Sequence, residues 1–281
     1  MQWRGRRTSQ NVEDRRGRSL KGIAGGGIGT IVLILLVMFM GGDPTAIINN
    51  IQMQDQQTSS YVRTEETDEL AEFTSVVLAE TEDVWAELLG RENISYAEPK
   101  LVIYSGAVES ACGVAGSSTG PFYCPQDQKV YIDLSFFSEM NEKLQAPGDF
   151  AMAYVIAHEI GHHVQNILGT VEKVYSLKSR VSEKEFNRYL VRMELQADYY
   201  AGVWAHHAER MNILDKGDID EALNAASAVG DDRLQNKHYG STVPDSFTHG
   251  TSEQRRRWFN KGYLSGTIRG GNTFDLSDAN L

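Results

Sequence analysis

His158-Glu159-Ile160-Gly161-His162, preceded by Phe150-Ala151-Met152-Ala153-Tyr154-Val155-Ile156-Ala157, is the stretch on which the reading of this chain turns. The eight residues ahead of the motif are almost wholly apolar and suit a buried helix. Two histidines four residues apart on a helix lie one above the other, where both neutral imidazoles can reach one tetrahedral Zn²⁺. Glu159, beside the first histidine, can take a proton from a water activated by that ion. The alternative is a surface helix that carries two histidines by accident. Burying two imidazoles and a carboxylate without partners would cost several kcal/mol, and a metal supplies the partner.

A catalytic zinc takes three protein ligands and leaves a fourth position open. The extended metzincin pattern would need glycine at 165 and histidine at 168. The chain has Gln165 and Leu168, which excludes that class. The third donor must come from a later element. Glu194 and Asp198, in Glu194-Leu195-Gln196-Ala197-Asp198, share a helix face. Glu194 can bind the ion while Asp198 accepts the N–H of a ligating histidine. Apolar neighbours (Met193, Leu195, Ala197, Ala201, Val203) favour an inward role over an exposed one. Glu183 and Glu185 lack a carboxylate four residues later and read as a solvated first turn.

His163 points about 100° away from His162 around the helix and reads as a supporting or capping group. His206 and His207, near the end of a helix, read as structural. A zinc hydrolase also needs a donor for the developing oxyanion. His249, in Ser246-Phe247-Thr248-His249-Gly250, is the candidate, with Tyr199 and Tyr200 as alternatives.

Apolar spacing and end signals predict helices over 68–89, 135–144, 149 to before 169, 182–211, 218–228 and 251–263. Residues 100–104 and 129–134 read as strands. The expected fold class is α+β: a mostly helical domain over 67–267 with a small sheet beside the motif helix. A loosely ordered polar tail is expected over 268–281.

Residues 1–21 carry seven basic side chains against two acidic ones, and the 21 residues from 22 to 42 are uncharged. That length spans a bilayer core as a helix. Its basic flank places the N-terminus in the cytoplasm and the remainder across the membrane. The chain is thus expected to have a basic cytoplasmic segment (1–21), a single transmembrane signal anchor (22–42) and a polar linker (43–66). A cleaved signal peptide competes, but Met40-Gly41-Gly42-Asp43-Pro44 is a poor cleavage site.

Beyond residue 21 there are 20 basic and 36 acidic side chains, a net charge near −16. Such a surface argues against nucleic acid as a partner. Cys112 and Cys124 lie in a glycine- and serine-rich loop between the strands. In an oxidising compartment they can pair, contributing about 3 kcal/mol by closing a short loop. The alternative is two small buried hydrophobes. No CxxC or cysteine–histidine cluster makes them zinc ligands.

The segments His158-Glu159-Ile160-Gly161-His162-His163-Val164-Gln165 and Met193-Glu194-Leu195-Gln196-Ala197-Asp198-Tyr199-Tyr200-Ala201-Gly202-Val203-Trp204-Ala205 resemble the bacterial putative neutral zinc metallopeptidases. Asn11-Val12-Glu13-Asp14-Arg15-Arg16-Gly17 and Gly120-Pro121-Phe122-Tyr123-Cys124-Pro125 extend the resemblance over nearly the whole chain. The Glu194-to-Asp198 arrangement is also similar to that of membrane-associated gluzincins, in which the glutamate is the third zinc ligand. Their Ser/Thr-His-Pro motif with a downstream arginine is echoed by Thr248-His249-Gly250 and Arg255, with Gly250 in place of proline.

The resemblance implies a zincin-like domain holding one Zn²⁺ and acting on a peptide or protein substrate. In related folds the substrate pairs along an edge strand, for which residues 129–134 are the candidate. The resulting expectation is a zinc peptidase anchored in the bacterial inner membrane, with its catalytic domain in the periplasm. His158, His162 and Glu194 would hold the metal, and Glu159 would act as base. Two alternatives are an envelope protein with a structural zinc and an amidase acting on a cell-wall bond. Oligomeric state leaves no signal in the sequence.

Overall fold

The computed structural model describes residues 1–18 and 62–281. The chain runs β1 (Val12–Asp14), α1 (Glu65–Arg91), β2 (Lys100–Tyr104), β3 (Ala107–Ser110), β4 (Gly113–Gly116), β5 (Phe122–Cys124) and β6 (Lys129–Asp133). It continues through α2 (Ser135–Glu142), α3 (Asp149–Ile167), α4 (Thr170–Tyr175), α5 (Glu183–Arg210), α6 (Asp218–Ala228), α7 (Asp231–Tyr239) and α8 (Ser252–Ser265). This is a mostly helical α+β fold with small sheets.

Helix starts fall where the sequence supplies caps. The side chains of Thr64, Ser182 and Thr251 accept from the amides of Thr67, Glu185 and Gln254, opening α1, α5 and α8. Asp149, expected as a cap, is instead the first helical residue of α3, after Gly148. Its charge sits in the first turn, where the helix dipole favours it. α3 is the central element: Phe150, Ile156, Ala157, Ile160 and Val164 are fully buried. It packs against α1, α5 and α6, and α8 lies along α5.

That α5–α8 contact is close because glycines face each other there. A Cβ on Gly202 would strike the Phe259 carbonyl, and one on Gly262 would strike the Tyr199 carbonyl. The four-stranded sheet has the order β1-β2-β6-β5, with β5 antiparallel to β6 and the other pairs parallel. β3 and β4 form a separate hairpin.

Three expectations are corrected here. The first concerns the N-terminal region. The proposed span at 22–42 lies outside the described residues, and among the described residues no helix is long and apolar enough to cross a membrane. The preceding segment is also part of the domain rather than separate from it. Trp3 is buried edge-on against Phe73 of α1, and β1 pairs with β2. Arg6 and Arg7 bind Glu80 and Glu82 of α1 at 3.2 and 3.1 Å. Arg16 reaches Asp68, and Arg63 reaches Asp14, so residues on either side of 19–61 meet on the domain surface. Residues 1–18 and 62–281 are therefore parts of one folded domain, and the fold described contains no membrane-spanning helix among its described residues.

The second correction concerns the substrate strand: β6, proposed for that role, is interior, flanked by β2 and β5. Third, the C-terminal tail is packed rather than loose. Thr273 and Leu281 are buried, and the Gly271 carbonyl accepts from the Gln196 amide on α5 at 2.9 Å.

Removing the Trp3 ring tests how much the N-terminal segment contributes. Trp3→Ala is expected to lower the unfolding free energy by about 3 kcal/mol, read from urea denaturation. An unchanged midpoint would mean that the segment is peripheral.

Candidate metal centre

The motif histidines project from α3 toward α5 because the two helices approach closely at Gly161. A Cβ there would lie 2.9 Å from the Ala197 carbonyl oxygen, so a larger residue would push α5 away. With glycine at 161, Glu194 and Asp198 come within reach of the histidines.

His158, His162 and Glu194 offer one ligand atom each, all within 4.8 Å of one another. Nε2 of His158 lies 3.1 Å from one Glu194 oxygen, and Nε2 of His162 lies 3.4 Å from the other. The opposite ring nitrogens are both occupied. His158 Nδ1 faces Asp198 Oδ1 at 2.9 Å, and His162 Nδ1 faces Gln165 Oε1 at 2.9 Å. Gln165 Nε2 donates to the Met193 carbonyl (2.7 Å) and to Gln196 Oε1 (3.0 Å), which fixes the amide so that its oxygen faces His162.

With a metal bound, each Nδ1 would carry the hydrogen and each Nε2 would offer its lone pair on the side of Glu194. Three acceptors converging on one point suit a divalent cation. In their metal-free state burial lowers the histidine pKa values, but the carboxylates outweigh it. Asp198 and Glu194 hold His158 up to about 9, and Glu194 raises His162. Burial raises the Glu194 carboxyl, yet the two imidazoles hold it well below the usual carboxylate range.

Asp198 has no solvent exposure and is held from three sides. Arg255 of α8 donates to both of its oxygens, at 2.8 and 3.0 Å, and the Tyr154 hydroxyl donates at 2.6 Å. Bidentate guanidinium–carboxylate geometry is among the strongest polar contacts available to a protein. Asp198 is therefore kept ionised and aimed at His158.

Glu159 and His249 line the same cleft, of about 340 Å³. His249 Nδ1 faces Asp231 Oδ1 at 3.3 Å, while Asp231 Oδ2 accepts the amides of Thr248, His249 and Gly250 at 2.8, 2.6 and 3.1 Å. The loop is thereby pinned to the start of α7. Burial lowers the His249 pKa, and Asp231 together with the Glu194 charge more than restores it.

The other histidines and the tyrosine alternatives fall outside the metal cluster. His163 is buried, its Nε2 on the Ala97 carbonyl (2.6 Å) and its Nδ1 on the Tyr123 hydroxyl (3.0 Å), so it anchors β5 to α3. His206 and His207 bind carbonyls of Tyr263 and Gly266 at the end of α8. The Tyr199 hydroxyl donates to Ser265 and the Thr267 carbonyl, and Tyr200 packs on Trp85, so neither is placed as an oxyanion donor. Cys112 and Cys124 form a disulfide that ties the β3–β4 turn to the end of β5.

Sequence reasoning missed Gln165, Tyr154 and Asp231 as site residues, and saw Arg255 only as a motif echo. Gln165 lies three residues after His162, on the same helix face, and could have been read from spacing.

The site has the donor set of a candidate metal centre: two histidines from one helix and a glutamate from a second, close enough to hold one ion together. The chain belongs to the family described as putative neutral zinc metallopeptidase, whose pattern matches residues 1–274. That match includes the N-terminal segment built into the fold. It is 49% identical over 287 residues to the uncharacterized protein YpfJ of Escherichia coli K12, covering 99% of this chain and 100% of that one. It is 41% identical over 206 residues to the uncharacterized protein Rv2575 of Mycobacterium tuberculosis H37Rv, covering 69% of this chain and 67% of that protein. No solved structure matches it.

Gln165→Leu is expected to weaken zinc binding about tenfold through the freed His162, read by competition with a chelator. Asp198→Asn should weaken it similarly. It should also cost about 3 kcal/mol of stability, because Arg255 loses its buried counter-ion, read by urea unfolding. Unchanged zinc affinity in both would assign the network to folding alone.

Proposed function

We propose that the protein is a zinc-dependent peptidase. The observation that carries this reading is the paired arrangement of the histidines. Both Nδ1 atoms are engaged by fixed acceptors and both Nε2 atoms face Glu194, in a cleft that also admits Glu159. Among the described residues no fourth histidine, cysteine or carboxylate joins that cluster, which favours an open coordination position over a closed structural site.

A zinc ion held by His158, His162 and Glu194 would supply Lewis acidity toward a carbonyl oxygen and toward water. The chain's own groups do the rest. Glu159 takes a proton from the attacking water and delivers it to the departing amine. His249 lines the cleft with Nδ1 held by Asp231, and its other ring nitrogen would serve as hydrogen-bond donor to the developing oxyanion. Arg255 and Tyr154 act through Asp198 and touch no substrate; they keep His158 in one tautomer and one orientation. The Cys112–Cys124 disulfide supports an oxidising working compartment.

Glu159→Gln should retain zinc and lose at least about a thousandfold in peptide hydrolysis. A zinc-replete variant as active as wild type would sink the assignment of the base. The His249–Asp231 pair has a pH signature. Asp231 raises the His249 pKa, so protonated His249 persists to higher pH than an isolated imidazole. Asp231→Asn should therefore shift the alkaline limb of kcat/KM to lower pH, and a limb that stays in place would remove His249 from the reaction.

A further inference from the structure

The charges lining the cleft are fully committed. Six lining side chains can carry charge: His158, Glu159, His162, Glu194, His249 and Arg255. Three of them form the metal cluster and Glu159 is the proposed base. His249 is held by Asp231, and both Arg255 contacts to Asp198 are shorter than 3.1 Å, with a further bond to the Val229 carbonyl. An enzyme that trims chain ends must recognise the terminal ammonium or carboxylate. An uncompensated opposite charge in the site is the usual means. Among the described lining residues there is no cation left for a terminal carboxylate and no carboxylate left for a terminal ammonium.

What the cleft does offer is backbone and apolar surface. Among the described residues β5 ends the sheet order, paired with β6 on one side only, and Phe122 and Tyr123 of that strand line the cleft. The Tyr123–His163 bond holds this strand against the motif helix, and the disulfide at Cys124 ties its end to the β3–β4 turn. A free strand edge recognises extended polypeptide through its main chain, which requires residues on both sides of the bond that is cut. The side-chain walls come from Phe136, Val155, Val171, Met193, Val229 and Leu234. Apolar walls of this kind favour apolar side chains and reject charged ones, which would be desolvated there without a partner.

We propose that this protein cuts interior bonds of extended polypeptide segments, next to an apolar side chain, and does not release residues from chain ends. The inference rests on the peptidase reading and deepens it by naming the substrate class. Hydrolysis breaks the C–N bond, adds the water oxygen to the acyl carbon and leaves the protons with the amine and the new carboxyl group. No redox partner is needed.

The test uses the full-length, zinc-loaded protein and two versions of one peptide of about ten residues with a central Phe-Leu pair. One version has free ends; the other is acetylated and amidated. Products are identified by mass spectrometry. Expected is cleavage of both at a central apolar bond, with rates within about twofold, since the ends lie outside the recognised segment. A loss of more than about tenfold on blocking the ends, or products shortened by one or two terminal residues, overturns the inference while leaving the peptidase reading standing. Cleavage of neither peptide above the level of Glu159→Gln overturns the underlying reading, and the inference with it.

The apolar wall has its own arm. Leu234→Ala, checked for zinc content and helicity, should favour Trp over Leu beside the cut bond by about tenfold relative to wild type, as the cavity enlarges. The milder Val229→Ala is used should that variant lose its helicity. A preference unchanged in the folded variant removes this wall from the recognition site.

Discussion

Asp198, a carboxylate with no access to solvent, is the constraint on which the site depends. Burial alone would push its carboxyl pKa upward; the Arg255 guanidinium and His158 outweigh that and keep it ionised. A buried charge left unpaired is among the most costly defects a fold can carry. The requirement to pair it therefore fixes three elements at once: α3 through Tyr154 and His158, α5 through Asp198 itself, and α8 through Arg255. The imidazole that results would, with a metal bound, keep its proton on Nδ1 and offer Nε2 on the side of Glu194. Packing, electrostatics and ligand preparation are thus one problem with one solution.

The helices can meet that requirement only because they approach one another closely. Gly161 admits the backbone of α5 beside α3, and Gly202 with Gly262 admits α8 onto α5. Around this core the second histidine is served by a neutral amide rather than a carboxylate, and that amide is held in turn by Gln196. Gln196 donates onward to the Gly271 carbonyl, so the C-terminal segment is part of the scaffold around the metal. The two imidazoles therefore have unequal partners, one anionic and one neutral. A carboxylate makes its histidine the stronger electron donor.

Much of the centre was legible because it is written in helical spacing. His158 with His162, and Glu194 with Asp198, are four apart on two helices whose ends carry sequence signals. Arg255, Tyr154 and Asp231 carry no local signal, since their roles arise only when α7 and α8 dock. β1, β3, β4 and β5 have three or four residues each, too few for alternation to show. The N-terminal arginines have partners that composition does not reveal. A dense positive charge before an apolar run is the usual mark of a membrane flank. Here the same charges face Glu80, Glu82 and Asp68 on α1. Composition counts charges and says nothing about which acids answer them.

That N-terminal segment has a consequence for how the molecule comes into being. β1 lies parallel to β2, and Leu101 donates its amide to the Asn11 carbonyl at 2.9 Å. Residues 11–14 therefore cannot settle until residues about ninety positions later have been synthesised. Contacts between segments so far apart are slow to form, because a long loop must close first. During that interval a strand, a tryptophan and several arginines travel without their partners. A chaperone or a targeting factor has that window in which to bind them.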